Sequence, residues 1–105
     1  MIIKREWIEW YVWDRVRVRV LIEREKSEII NFAIQFELNE SGWNEVVRYN
    51  FAHGTPHRDL IHKNKKKEKL WLYDKTLREV FDYAKKDIMT NWKKYIKECG
   101  YNETD

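Results

Sequence analysis

Apolar and polar residues alternate along several stretches of the first half of this chain, the pattern of β-strands with one buried face. The clearest stretch sets four apolar residues against three arginines: Val16, Val18, Val20 and Ile22 against Arg15, Arg17 and Arg19. A second stretch alternates over residues 30–38, and β-prone segments flank these two at 7–13 and 43–51. The turns between them, at 25–27 and 39–42, are too short for crossover connections. We therefore predict antiparallel neighbours in a meander.

The second half of the chain predicts two short strands and then a helix. The strands, at 60–62 and 69–73, flank a lysine-rich run over 63–67 that is typical of a solvated hairpin tip. Apolar residues then recur at helical spacing over a length of roughly 30 Å, enough to cross a sheet. The residues that can cap this helix are Asp74 or Thr76, the latter with Glu79 as a capping box. We expect an α+β fold, an antiparallel β-meander of about five strands covered by one long C-terminal helix.

The composition indicates one folded domain over residues 1–105. Hydrophobic residues make up 43% of the chain, with six tryptophans and six tyrosines, which supplies a core and excludes global disorder. The single cysteine, Cys99, excludes an intrachain disulfide, and no apolar run is long enough to span a membrane. A charged fraction of 37% with only three glycines is typical of proteins from thermophiles. We expect a cytoplasmic protein with no membrane contact.

Candidate chemistry is concentrated in one segment. All three histidines fall within ten residues, beside an arginine and a carboxylate: His53, His57, Arg58, Asp59 and His62. Residues 48–69 also hold seven basic and two acidic side chains, a net charge of +5, whereas the rest of the chain carries −2. This combination indicates a site for an anionic partner such as a phosphate.

These residue types suffice for the cleavage of RNA without a metal ion. One histidine, with an ordinary pKa of about 6.5, can take the proton of the 2′-hydroxyl, and a second can protonate the leaving 5′-oxygen. We assign acid and base to His53 and His57, the phosphate clamp to Arg48 and Arg58, and the orientation of these groups to Tyr49, Asp59 and His62. The alternative is a structural loop whose histidines bond backbone groups or lie in solvent.

Metal binding is a second alternative for the same histidines. With Asp59 they provide ligand types for Zn²⁺ or Ni²⁺, but their spacing matches neither the helical H-E-x-x-H pattern nor a zinc finger. Two neighbouring arginines disfavour a cation. We expect no metal and no cofactor.

Basic residues interleaved with aromatic ones predict a surface for single-stranded RNA. The basic residues are Arg15, Arg17, Arg19, Lys63, Lys65, Lys66 and Lys67, and the stacking platforms are Trp71 and Tyr73. The alternative is that the strand arginines pair with glutamates of neighbouring strands and that the lysines form a solvated tip. Both interpretations stay open, because one face of a sheet can serve both.

The segment 47–59, with His62 and the downstream Asp87, Asn91 and Trp92, resembles a family of small uncharacterised archaeal and bacterial proteins. The shared pattern is R-Y-D-x-A-H-G-x-x-H-R-D-x-x-H, followed by a helix that carries D-x-x-x-N-W. Asn50 stands where that pattern has an acidic residue. More distantly, the segment is similar to TumE-type toxins of toxin–antitoxin modules, without their double histidines. This resemblance implies a nuclease-like activity on RNA.

Residues and resemblance together favour a metal-independent ribonuclease, or a ribonuclease-like toxin of a toxin–antitoxin module, that acts on RNA. The alternative is a non-enzymatic module that binds nucleic acid or protein and uses its histidine loop structurally. A toxin would have an antitoxin-like protein as its partner, and a homodimer stays open.

Overall fold

The computed structural model describes residues 1–51 and 54–102. Its elements are β1 (Ile2–Val12), β2 (Val16–Glu25), β3 (Glu28–Asn39), β4 (Trp43–Asn50), β5 (His57–Ile61), β6 (Lys67–Trp71) and α1 (Leu77–Glu98). The strands form one sheet in chain order, and each pairs antiparallel with the next. The predicted α+β meander with a long C-terminal helix is confirmed, with six strands in the described residues where about five were predicted.

Strand β5 begins earlier than the sequence predicts. The sequence places this strand at 60–62, because a glycine and a proline upstream favour a loop, whereas the strand starts at His57. Residues 57–60 pair with β4, with Asn50 opposite His57 and Val47 opposite Leu60, and this pairing extends the strand where the local sequence favours a loop. Long-range pairing outweighs local propensity here. It draws half of the histidine segment onto the sheet.

Helix α1 lies across β3 and β4 and covers one face of the sheet. The side chains of this core with no exposed surface include Ile34, Phe36, Val47 and Tyr49 from the sheet and Val80, Ala84 and Ile88 from the helix. Phe32 meets Phe81 edge-on at 5.9 Å between ring centroids. Edge-to-face aromatic pairs add stabilisation beyond the area that they bury. The helix therefore has a fixed position over the residues that β4 directs towards it.

The start of α1 confirms the predicted capping box. The Thr76 hydroxyl accepts from the Glu79 backbone N–H at 3.1 Å, and the Glu79 carboxylate accepts from the Thr76 N–H at 2.9 Å. These two bonds satisfy backbone donors that have no partner inside the helix. At the other end, Gly100 adopts a left-handed φ of +87°, which stops the helix after Cys99.

The opposite face of the sheet, which we call the open face, carries polar residues. One row of paired residues crosses the whole sheet there: Ile8, Arg19, Gln35, Arg48, Asp59 and Lys69, one from each strand in order. Side chains directly opposite each other in an antiparallel sheet are close enough to interact. The open face is therefore where charges from distant parts of the chain meet.

Candidate functional site

The predicted site residues of β4, Arg48 and Tyr49, and the part of the histidine segment on β5 lie side by side, and strand alternation divides their side chains between the two faces of the sheet. Arg48 lies opposite Asp59 on the open face, whereas Tyr49 lies opposite Arg58 on the face towards α1. Successive residues of a strand point to opposite faces. Arg48 and Arg58 lie on opposite faces, so they cannot clamp one phosphate together, and the predicted clamp is corrected here.

A buried carboxylate organises the open-face half of the segment. Asp59 is only 1% exposed, and its Oδ2 lies 3.3 Å from the Arg48 guanidinium and 3.5 Å from Nε2 of His57. Its Oδ1 lies 3.8 Å from Nζ of Lys69. A carboxylate at this depth depends on such partners, because an isolated buried charge is very unfavourable. We call Arg48, His57, Asp59 and Lys69 the Asp59 cluster.

His57 is enclosed within this cluster. Its ring is 2% exposed and lies 5.2 Å from the ring of Trp71. Nδ1 is 3.4 Å from the Thr55 carbonyl oxygen, and Nε2 faces Asp59. Both ring nitrogens are thus directed at protein acceptors, so the geometry suits a residue that positions its neighbours.

The structure places His62 apart from His57. His62 comes directly after β5, one position out of phase with His57. Its ring contacts the Glu68 carboxylate, and its backbone N–H donates to the Lys66 carbonyl at 2.8 Å. Five residues of extended chain, roughly 16 Å, separate it from His57. His62 was predicted to orient the other site residues, but among the described residues it makes no contact of this kind with the Asp59 cluster. His53, the remaining predicted acid or base, lies outside the described residues.

A second buried carboxylate organises the half of the segment that faces α1. Asp87 of α1 accepts from the hydroxyls of Tyr49 at 2.7 Å and Tyr95 at 2.6 Å, and from the Asn91 amide at 2.8 Å. Arg58 donates to the Tyr95 hydroxyl at 3.4 Å. Burial, and then the bond to Asp87, raises the pKa of both tyrosines above the ordinary value of 10. They therefore stay protonated and hold the helix to β4 and β5.

Three members of this second cluster have no role predicted from the sequence. Asp87 and Asn91 appear only in the resemblance, and Tyr95 is one of many apolar positions on the predicted helix. The available signal was a carboxylate between Ala84 and Ile88 on the buried stripe, because an unpaired charge is rarely tolerated there. The identity of its partners depended on how the helix packs.

The three predicted RNA-binding arginines, Arg15, Arg17 and Arg19, lie in different surroundings. Arg15 lies in the turn before β2 and donates to the Asn39 carbonyl. Arg17 donates to Glu37 at 2.7 Å, and its guanidinium lies 3.7 Å from the centre of the Trp43 ring. Arg17 thus pairs with a glutamate of the neighbouring strand, as the alternative interpretation expects, whereas Arg15 bonds a backbone carbonyl instead. The Arg19 side chain remains 55% exposed on the open face, 3.9 Å from Glu37.

The lysine run forms the turn between β5 and β6. Lys63 pairs with Glu40 at 2.7 Å, and it is exposed, as are Lys65, Lys66 and Lys67. Lys65 has a left-handed φ of +74°, which closes the tight turn. The predicted hairpin tip is therefore present, and its charge is available to solvent.

Strand β6 continues this charge along the edge of the sheet. Lys67, Lys69 and Trp71 alternate onto the open face, and Tyr73 follows the strand. The rings of Trp71 and Tyr73 are nearly parallel, at 28° and 6.3 Å, and Tyr73 is 65% exposed. Lys69 lies 5.1 Å from the centre of the Trp71 ring. We call these four residues the β6 surface, and it adjoins the Asp59 cluster through Lys69 and Trp71.

Three further observations concern metal ligands, the cysteine and membrane helices in the described residues. Residues 1–51 and 54–102 contain no group of three or more histidine, cysteine, aspartate or glutamate side chains that could hold a metal ion. Burial raises the pKa of the Cys99 thiol to about 11, which keeps it protonated at neutral pH. No helix in this part of the chain combines the length and the apolar character that a membrane crossing requires.

Comparison with known proteins identifies the family but no described function. No curated protein and no solved structure matches the chain. A family model described as "Domain of unknown function (DUF7718)" matches residues 3–104, which include all of β1 except its first residue, strands β2 to β6, the helix and both carboxylate clusters. Because that match covers almost the whole chain, the protein belongs to the DUF7718 family.

Proposed function

We propose that this protein binds single-stranded RNA along the β6 surface. The observation that carries the proposal is the exposed, nearly parallel pair of Trp71 and Tyr73 on the same strand edge as Lys67 and Lys69. Proteins that bind single strands combine aromatic rings, on which bases stack, with cations that follow the phosphates. Along the β6 surface the two cations, Lys67 and Lys69, are followed by the two rings, Trp71 and Tyr73, so an extended RNA chain can contact both kinds of group.

The position of this surface favours a single strand over a duplex. Every residue of β6 is exposed, and the strand forms one edge of the sheet. Bases paired in a helix have no free faces, whereas unpaired bases can stack on a tryptophan or a tyrosine. Arg48, behind Lys69 on the open face, adds a further cation within the Asp59 cluster.

Removing either aromatic ring is expected to weaken RNA binding. Tyr73→Ala and Trp71→Ala should each raise the dissociation constant for a short unstructured RNA about tenfold, because one stacked base is lost. Tyr83→Ala, which removes an exposed ring from α1, is the matched control and should bind like the parent. Fluorescence anisotropy measures all three. Equal affinities for the three variants would contradict a site on β6.

Salt titration adds a second measure of the same binding. If about four phosphates are neutralised, log affinity should fall against log salt with a slope of about −3. A salt-independent affinity, or no binding at low salt, would contradict the proposal and favour a protein partner.

We propose metal-independent cleavage of the bound RNA, by a ribonuclease or a ribonuclease-like toxin, as a second candidate. It is supported by the His57–Asp59 pair beside Trp71 and by His53, four residues before His57 in the chain. One histidine would take the 2′-hydroxyl proton while the other protonates the leaving 5′-oxygen, which leaves a 2′,3′-cyclic phosphate. Because His57 is buried, the segment around it must shift for direct contact, and binding therefore ranks first.

Cleavage, where it occurs, is expected to survive EDTA and to depend on imidazole. His53→Ala and His57→Ala should each lower the rate about a hundredfold. Lys65→Ala is the control that should weaken binding with little change in the rate at saturation. Gel analysis of RNA ends with and without EDTA provides the measurement. Undiminished cleavage by both histidine variants would exclude this mechanism, and activity restored only by Zn²⁺ would indicate a metal site.

A further inference from the structure

Strand β1 is a long and exposed edge of the sheet. The sequence predicts a strand only from residue 7, but β1 extends over eleven residues, from Ile2 to Val12, and pairs on one side with β2. Its exposed apolar side chains include Ile2, Ile3, Trp7, Ile8 and Trp10. The outer backbone groups of an edge strand can pair with another strand. This edge is therefore a surface on which a further strand can add.

The two edges of the sheet differ in their protection against such pairing. The β6 edge has only five residues, and Lys67 and Lys69 lie among them. Short edge strands that carry lysines are a common protection against strand addition. β1 carries one lysine, Lys4, among eleven residues and no proline, and its pairing with β2 is regular from Ile2 to Trp10. The structure thus leaves β1 as the edge that is suited to pairing.

The charges of β1 complement those of a second copy in one register. Two copies of a strand that pair antiparallel about a twofold axis place residues of the same face opposite each other. With Trp7 at the axis, Arg5 lies opposite Glu9 of the second copy, and the symmetry repeats this pair. Lys4 then lies opposite Trp10 of the second copy, a cation beside an aromatic ring. No like charges face each other in this register.

Neighbouring registers match less well. Centring the pair on Glu6 places two glutamates opposite each other at the axis and creates no ion pair. Centring it on Arg5 creates two Lys4–Glu6 pairs but places two arginines opposite each other at the axis, which is destabilising. Centring it on Ile8 creates no ion pair. Glu9 can accept the additional partner, because its bonds from Trp7 Nε1 at 2.8 Å and Lys85 Nζ at 2.9 Å both end on Oε2.

We propose that the protein forms a symmetric dimer in which β1 pairs with β1 of a second copy, with Trp7 at the twofold axis. The axis is perpendicular to the sheet, so the two sheets become continuous, both α1 helices lie on one side and both open faces on the other. The dimer leaves the β6 edge of each copy free. This inference does not depend on RNA binding.

Charge reversal tests both the dimer and its register. Arg5→Glu places two glutamates opposite each other at both symmetric contacts, and Glu9→Arg places two arginines there. Each variant alone should dissociate at a concentration about tenfold or more above that of the parent. An equimolar mixture should restore a dimer of near-parental affinity, because each contact then joins a glutamate to an arginine. Sedimentation equilibrium over a range of concentrations measures these constants.

Two controls make the outcome decisive. Glu6→Arg changes the charge of an adjacent exposed residue that has no charged partner in the Trp7-centred register, so its dimer should match the parental one. Thermal melts identify any loss of fold in Glu9→Arg, which also loses the Lys85 contact, whereas Arg5→Glu leaves that contact intact. A parent that is monomeric at all concentrations, variants that dimerise as the parent does, or a mixture that forms no dimer would each overturn the proposal. A Glu6→Arg effect as large as that of Arg5→Glu would overturn the register.

Discussion

Replacing Asp87 with alanine is expected to lower the free energy of unfolding by about 3–5 kcal/mol, because three donors lose a charged acceptor. The hydroxyls of Tyr49 and Tyr95 point at this carboxylate from β4 and from the next turns of α1. Tyr49 has no exposed surface, so water cannot replace the lost acceptor without a rearrangement of the core. Urea denaturation followed by circular dichroism measures the change.

The control for this variant lies on the same helix. Asp82 is exposed and pairs with Arg78 at 3.3 Å across one turn, an interaction of about 0.5 kcal/mol or less. Asp82→Ala should therefore unfold almost as the parent does. If Asp87→Ala matched Asp82→Ala, the carboxylate would not be what holds the helix to β4. Asp87→Asn, which keeps one acceptor oxygen, is expected to fall between the two.

Replacing Asp59 with alanine is expected to cost about 2–4 kcal/mol of unfolding free energy, since it leaves the cations of the Asp59 cluster without their shared counter-charge. His57 and Asp59 are both almost fully buried, so water does not readily replace the carboxylate beside His57, whereas Arg48 and Lys69 are partly exposed and solvent compensates for part of their loss. Arg48 retains its contact with Glu45 at 3.4 Å, which limits the effect. The measurement is again equilibrium unfolding, at low and at high salt.

Glu68→Ala is the matched control for Asp59. Glu68 is an exposed carboxylate on β6, and it pairs with His62 rather than with the cluster. Its removal should change the unfolding free energy by about 0.5 kcal/mol or less. An Asp59→Ala protein as stable as Glu68→Ala would show that the cluster is solvated in solution. RNA affinity measured on the same two variants, under conditions where both are folded, shows whether the Asp59 cluster affects binding apart from stability.

Local sequence determined most of the fold. The alternation of valines with arginines along β2 fixes which face of that strand is buried, because the side-chain period of a strand is two residues. Short polar turns left few alternatives to a meander, and Thr76 with Glu79 set the first turn of the helix. Each of these patterns spans only a few residues of the element that it specifies, so it can be read from the sequence without knowledge of distant contacts.

The candidate site was predicted only in part. The sequence singles out His57, Asp59 and Arg48 among its candidates, and the structure brings these three side chains together. It also grouped His62 and Arg58 with them, because residues that are close in sequence look close in space. Strand β5 sends alternate residues to opposite faces, so these two lie elsewhere. The error followed from placing the start of this strand three residues too late.

The sequence by itself therefore determined the order and type of the elements, the buried faces of the central strands and the segment that holds the candidate chemistry. Tertiary structure alone decided which distant residues meet: Asp87 with Tyr49, 38 positions apart, and Trp71 with His57 across β5 and β6. The physical reason is that alternation and capping are local, whereas strand register and helix docking minimise the free energy of the whole core. Those long-range choices placed one carboxylate cluster on each side of the sheet.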